Sequence, residues 1–205
     1  MQNQTIQDDL ASVRNLMERS TKFISLSGLS GILAGVYALA GAAYAYQQIY
    51  QGDFSRTVAF YIQHPSAVYH LAGVAVLVLG LSLSTGLYLS WRKAKRSGET
   101  LWNNATKKLL VNLLIPLVAG GLFTAILLSR GYYGIISSSL LLFYGLALMN
   151  ASANLFDEIR YLAYCELVLG LLSALLPGYG LLFWAIGFGA LHIFYGLLMY
   201  RKYDR

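Results

Sequence analysis

Six apolar stretches, at about residues 23–46, 67–91, 109–129, 134–153, 161–176 and 180–200, take up most of a 205-residue chain. A helix needs ~20 consecutive apolar residues to cross a ~30 Å hydrocarbon core. Water is absent there, so every backbone N–H and C=O must be paired internally, which restricts spanning structures to helices and closed barrels. Runs of this length and spacing point to helices. The composition agrees, with 57% hydrophobic and 12% charged residues, about half the ~25% charge that a water-facing surface carries. The reading is an all-α membrane protein of six transmembrane helices in three antiparallel hairpins. Residues 23–205 form one domain, preceded by an amphipathic arm over 1–22.

That arm contains Asp8, Asp9 and Glu18, and the apolar run after it exceeds 20 residues. A secretory signal has a short basic head and a 7–15-residue core, so the first run is read as a retained helix. Within the arm, Ile6, Leu10, Val13 and Met17 recur at spacings of four, three and four, one stripe of a helix. Such a helix lies in the headgroup region or packs on another subunit, so a homo-oligomer or a membrane-protein partner is expected through it.

The basic residues set the orientation. Arg14, Arg19 and Lys22, the connector residues Arg92, Lys93, Lys95, Arg96, Lys107 and Lys108, then Arg160, Arg201, Lys202 and Arg205 all fall on one side. Only Arg56 and Arg130 fall on the other, a split of 13 to 2. The positive-inside rule then places both termini in the cytoplasm. The net charge of +6 is accounted for by topology, and no nucleic-acid partner is expected. The basic connector is also positioned to contact anionic lipid headgroups. Aromatic residues near the span ends, among them Tyr44, Trp91, Trp102, Tyr132, Tyr133 and Tyr161, read as interfacial anchors.

Ionisable groups inside a span are costly and must find partners. Glu166 and His192 are two such groups. They stand ~12.5 and ~13.5 residues on either side of the Pro177–Gly180 turn, so at 1.5 Å per residue both lie ~19–20 Å from it. Helical spacing groups Glu166 with Gly170 and Ser173, and Ala185 with Gly189, His192 and Gly196, which leads to an expected hairpin with Glu166 bonded to His192. Asn150, Asn112 and Ser27 fall in the same cytoplasmic halves and complete a candidate polar site. Gly28, Gly31 and Gly35 form a small-residue packing face, and Pro116 interrupts the third span. Helices two, four and six each carry a Gly-Leu pair, at Gly86, Gly145 and Gly196, as three tandem hairpins would.

Catalytic signatures are absent: the chain has no GxSxG, no HExxH, no phosphate-binding loop and no acidic cluster. Cys165 is the single cysteine, which rules out an intrachain disulfide or a thiolate cluster. No cofactor and no metal are expected.

The stretches MERSTKFISLSGLSGILAGVYALAGA (17–42) and PGYGLLFWAIGFGALHIFYGLLMY (177–200) resemble the opening and close of small six-span integral membrane proteins of Bacteroidota. The resemblance implies a bacterial inner membrane and brings no activity or functional residue with it. Three function classes remain. The favoured one is a non-enzymatic partner-binding or sensory component. The others are a transporter or channel subunit with a polar cytoplasm-facing cavity, and an intramembrane lipid-modifying enzyme.

Overall fold

The computed structural model describes residues 27–51, 55–96, 102, 104–152, 155 and 157–204. The expected amphipathic arm, with its three basic residues, lies outside them. Among the described residues the secondary structure is entirely helical. The elements are α1 (Gly28–Gln48), the short α2 (Val58–Gln63), α3 (Pro65–Arg96), α4 (Asn104–Ser129), α5 (Ile136–Ala151) and α6 (Asp157–Leu175). A last rod follows, in which α7 (Gly180–Trp184) runs through a wide π-helical stretch, Ala185–Leu191, into α8 (His192–Tyr203).

Five of these rods are long and apolar enough to cross a membrane: Gly28–Gln48, Pro65–Arg96, Thr106–Ser129, Tyr133–Ala151 and Gly180–Tyr203. The chain thus has the helical architecture and apolar lengths of a membrane protein. The sixth expected span, α6, has 19 residues but carries Asp157 and Glu158 in its first turn, followed by Arg160 and Glu166, and this charge sets it apart from the other five.

The rods assemble as two groups of three. In one, α1 packs along α3 on one flank and along the last rod on the other; in the second, α5 packs along α4 and α6. The expected third hairpin is therefore loose. α6 and the last rod follow one another through the Pro177 turn, yet each packs mainly on a different neighbour. Small residues decide this, because helix backbones approach closest where side chains are absent. A methyl group on Gly196 would stand 2.6 Å from the Ile32 nitrogen, and one on Gly35 would stand 2.6 Å from the Gly189 oxygen. Gly189 and Gly196 of the last rod thus face α1, whereas Gly170 of α6 faces Leu142 of α5. The three Gly-Leu positions have unlike surroundings: Gly86 borders open space, Gly145 packs on α6 and Gly196 on α1.

Two apolar clusters hold the ends of the bundle. Leu148, Ala151, Leu162, Ala163 and Met199 join α5, α6 and α8. Ala42, Ala45, Tyr50, Tyr61, Val68 and Leu181 join α1, α2, α3 and α7. At the basic end Asp204 accepts hydrogen bonds from the Gly28 N–H (2.8 Å) and the Ser27 hydroxyl (3.0 Å), and pairs with Lys93 (2.5 Å). Asp204 thereby caps the first turn of α1, where orphan N–H groups favour a carboxylate.

Candidate functional site

Glu166 and His192 meet inside the bundle. The Glu166 carboxylate oxygen Oε1 lies 3.7 Å from His192 Nδ1, beyond hydrogen-bond reach. Nδ1 instead lies 2.9 Å from the Gly187 carbonyl oxygen, and Nε2 lies 2.7 Å from the Tyr144 hydroxyl. A carbonyl can only accept, so Nδ1 carries a proton and both ring nitrogens are satisfied without Glu166. The Glu166 side chain is 0% exposed, and neither of its oxygens has a hydrogen-bond partner among the described residues. It is held by packing: a methyl group on Gly187 would stand 2.6 Å from Oε2 and 2.5 Å from Leu141 Cδ2. The expected Glu–His hydrogen bond is replaced by a His–Tyr–carbonyl arrangement with a carboxyl wedged beside it.

The π-helical stretch makes this possible. Its wider turn brings residues five apart onto one face, so Gly187 and His192 look together toward α5 and α6. Gly189 and Gly196, seven apart, look toward α1.

Asn150 and Asn112 belong to a separate place. Proline at 116 has no N–H to give to the carbonyl four residues earlier, which is that of Asn112. The Asn150 amide donates to that oxygen at 2.7 Å, so a side chain on α5 replaces the backbone donor that α4 lacks, and α4 continues unbroken through Pro116. Asn150→Leu should cost about 0.6–1.7 kcal/mol, the range of interhelical bonds in membranes. In a Pro116→Ala background, where a backbone N–H returns, the same change should cost close to nothing. Thermal midpoints in mild detergent give the double-mutant cycle, and equal losses in both backgrounds would sink this account.

Ser27 sits at the start of α1 and bonds Asp204. Three other hydroxyls of that half turn back on nearby backbone: Ser30 onto the Ser27 carbonyl, Ser84 onto Gly80 and Thr85 onto Leu81. The five candidate polar residues are thus distributed over three sites. In the basic connector, Arg92, Arg96, Lys107 and Lys108 are exposed and Lys95 lies over the Trp91 ring at 5.4 Å. Lys93 departs from this set, since it is the partner of Asp204. Among the described residues no group of three His, Cys, Asp or Glu could hold a metal ion.

A cavity of about 240 Å³ lies in the opposite half, between the two helix groups. Typical small-molecule pockets measure ~300–1,000 Å³. Its walls are Gly41 and Ala45 of α1, Val68, Leu71 and Ala75 of α3, Thr124 and Leu128 of α4, Leu140 of α5, and Leu181 and Trp184 of α7. At its polar end stand Arg56, Tyr50, Tyr61, Tyr133 and Ser137. The Tyr50 and Tyr61 hydroxyls bond each other, and the Arg56 guanidinium donates to the Tyr50 carbonyl oxygen. It also lies over the Phe60 ring at 5.0 Å, while the Arg56 N–H donates to the Gly178 carbonyl at 3.0 Å. Burial raises the pKa of both phenols, and for Tyr50 the neighbouring Tyr61 adds to the rise while Arg56 opposes it. Both stay neutral hydroxyls. From the cavity wall, the rings of Trp184, Phe188 and His192 follow one another at 5.6 and 6.0 Å.

From sequence Tyr133 reads as an interfacial anchor, and no pattern in the residues singles out Tyr50, Tyr144 or Asp204. Arg56 carried a usable signal, being one of only two basic residues on its side. Comparison of the chain with protein-family models, curated proteins and solved structures gives no match.

Proposed function

We infer that the chain is a six-span, non-enzymatic component of a bacterial inner membrane, partner-binding or sensory, with both termini in the cytoplasm. The sixth span is α6. Its Asp157, Glu158 and Arg160 are confined to the first turn, at the basic end, and from Tyr161 onward Glu166 is its only charge. The 13-to-2 split of basic residues supports this orientation. Exposed Arg92, Arg96, Lys107 and Lys108 meet anionic headgroups, and the arm over 1–22 is the contact for a partner subunit.

The observation that carries this reading is the closure of the polar pair. Glu166 is 0% and His192 9% exposed, and neither lines the cavity. A transport path or a lipid-cleaving site built on the pair requires an opening to it. His192, with the Tyr144 hydroxyl and the Gly187 carbonyl, therefore reads as internal fastening with the Glu166 carboxyl sealed beside it, while the run of rings from Trp184 to His192 favours a protein that registers what occupies the cavity.

The test compares native complexes recovered in mild detergent from the full chain, from Glu166→Gln, and from a variant with Ile6, Leu10, Val13 and Met17 all changed to Ser. Glu166→Gln should keep the partner set and the cellular phenotype of the parent. The arm variant should lose the partner, or its self-association, while remaining folded. Loss of phenotype in Glu166→Gln at unchanged stability and unchanged partners would transfer the function to the buried pair.

A further inference from the structure

We propose that the cavity between the two helix groups binds a neutral lipophile carrying one hydroxyl or carbonyl oxygen, taken up from the bilayer. This ligand class deepens the sensory reading above, and it rests on the chain spanning the membrane.

Three observations carry it. First, the polar end of the cavity offers hydrogen bonds but no available charge. Arg56 is the one charged residue of the lining, and its guanidinium is committed to the protein. It donates to the Ser55 and Tyr50 carbonyl oxygens and lies over the Phe60 ring. An ionised head would leave water without a counter-charge, which costs far more than burying a neutral oxygen. Second, two hydroxyls of the lining are open to a ligand. Those of Tyr50 and Tyr61 bond each other, and Thr124 donates to Ser139 at 3.2 Å. Tyr133 and Ser137 line the same cavity, and neither hydroxyl has a hydrogen-bond partner among the described residues. A hydroxyl both donates and accepts, so an alcohol and a ketone or ester oxygen are both served, two sources to be distinguished. Third, the rest of the wall is apolar and faces lipid. Gly41, Ala45, Ala72 and Ala75 keep it smooth. α3 and α4 both contribute to it without packing along each other, and Val76 on the α3 side is 69% exposed. A chain can enter between them without crossing water. An apolar cavity of ~150 Å³ takes up benzene. One of about 240 Å³ therefore has room for a head and about six carbons, with any longer tail left in the bilayer.

Trp184 in the wall is the reporter, its ring 4.0 Å from a methyl group placed on Gly41. The chain has three tryptophans, and Trp91→Phe with Trp102→Phe leaves it alone. The full chain in nanodiscs is titrated with four brominated probes: 6-bromohexanol, methyl 6-bromohexanoate, ionised 6-bromohexanoate and 1-bromohexane. Quenching is plotted against mole fraction in the bilayer, so that partition cancels. We expect saturable quenching by the alcohol, the ester or both, at mole fractions at least tenfold below those needed for the anion and for bromohexane. One or two net hydrogen bonds are worth that factor. Alcohol alone, ester alone or both identifies the head, and each supports the site. Tyr133→Phe with Ser137→Ala should erase the advantage of the oxygenated probes and leave bromohexane unchanged. Ala72→Phe, which fills the cavity, should abolish saturation for every probe. The comparison of heads stands even if a variant fails to fold, because the parent with all three tryptophans should show the same saturable component on a linear background. Tightest binding by the anion, or bromohexane matching the oxygenated probes, overturns the ligand class. Quenching that rises linearly and equally for all four is partition alone and overturns the site. Any of these with arm-dependent partner recovery intact leaves the component reading in place.

Discussion

Gly196→Val should collapse the stability of the bundle, whereas Gly86→Ala should leave it unchanged or slightly raised. The two glycines occupy equivalent positions in the sequence pattern, each followed by Leu, and differ only in what they face. A side chain on Gly196 meets backbone on three sides: the Ile32 nitrogen at 2.6 Å, the Gly28 oxygen at 2.9 Å and the Gly31 carbonyl carbon at 2.9 Å. Backbone inside a helix cannot move aside as a rotamer can, so α1 and α8 must separate along their crossing. Overpacking into rigid surroundings costs about 1–3 kcal/mol. Here the cost is joined by loss of contacts at Gly28 and Gly35, whose own positions are as close to α8 and the π-helical stretch. Against a total stability of ~5–15 kcal/mol for a domain, that is a large fraction. Gly86 has nothing within 4 Å of an added methyl, and Ala is favoured over Gly in a helix by about 1 kcal/mol. Thermal midpoints by fluorescence-detected size exclusion separate the two, and a Gly196→Val protein melting with the parent would refute the crossing of α1 with α8.

The extent of the helices was legible because the bilayer imposes a length. A run of ~20 apolar residues carries that signal whatever it packs against, and α1, α3, α4, α5 and the last rod fall where hydropathy puts them. The depth match of Glu166 and His192 was legible for the same reason: rise per residue is fixed by backbone geometry. Facing was not. At 3.6 residues per turn, Ala185, Gly189, His192 and Gly196 form one stripe, but the π-helical stretch Ala185–Leu191 divides it between α1 and α6. Nothing in the residue types announces that wider turn. The donor–acceptor pairing of Asn150 with Asn112 follows from Pro116 once α4 and α5 are known to be neighbours, which is tertiary information. The cavity was the least legible. Its charged end is assembled by two connectors, around Arg56 and Gly178, and loop-to-loop docking has no periodicity to read. The apolar character of the surrounding half-spans concealed it as well, since its walls are indistinguishable in composition from any lipid-facing helix.

Glu166→Leu should stabilise the protein by about 1–3 kcal/mol, an unusual sign for a change at a fully buried position. The argument is one of satisfaction. A buried polar group without a hydrogen bond costs about 1–3 kcal/mol, and both Glu166 oxygens are in that state among the described residues. Leucine has a similar volume and carries no such cost, so the packing against Gly187 and Leu141 survives. Removal of the carboxyl leaves nothing else stranded, because His192 is already bonded at both nitrogens, to the Gly187 carbonyl and the Tyr144 hydroxyl. The converse substitution behaves oppositely. His192→Ala deprives that hydroxyl and that carbonyl of a partner and empties the space of a ring stacked 5.4 Å from Tyr144, and it should cost ~2 kcal/mol or more. Were the two residues instead an ion pair, removal of either would strand a buried charge at about 3–5 kcal/mol, and both variants would fall together. Denaturation midpoints for Glu166→Leu and His192→Ala decide between these cases: opposite signs place the strength of the cluster in His192, Tyr144 and Gly187, and a matched loss places it in the charge pair. A stabilised Glu166→Leu that has lost its cellular phenotype would go further, since a carboxyl that weakens the fold while serving activity is acting as a site and not as a fastening.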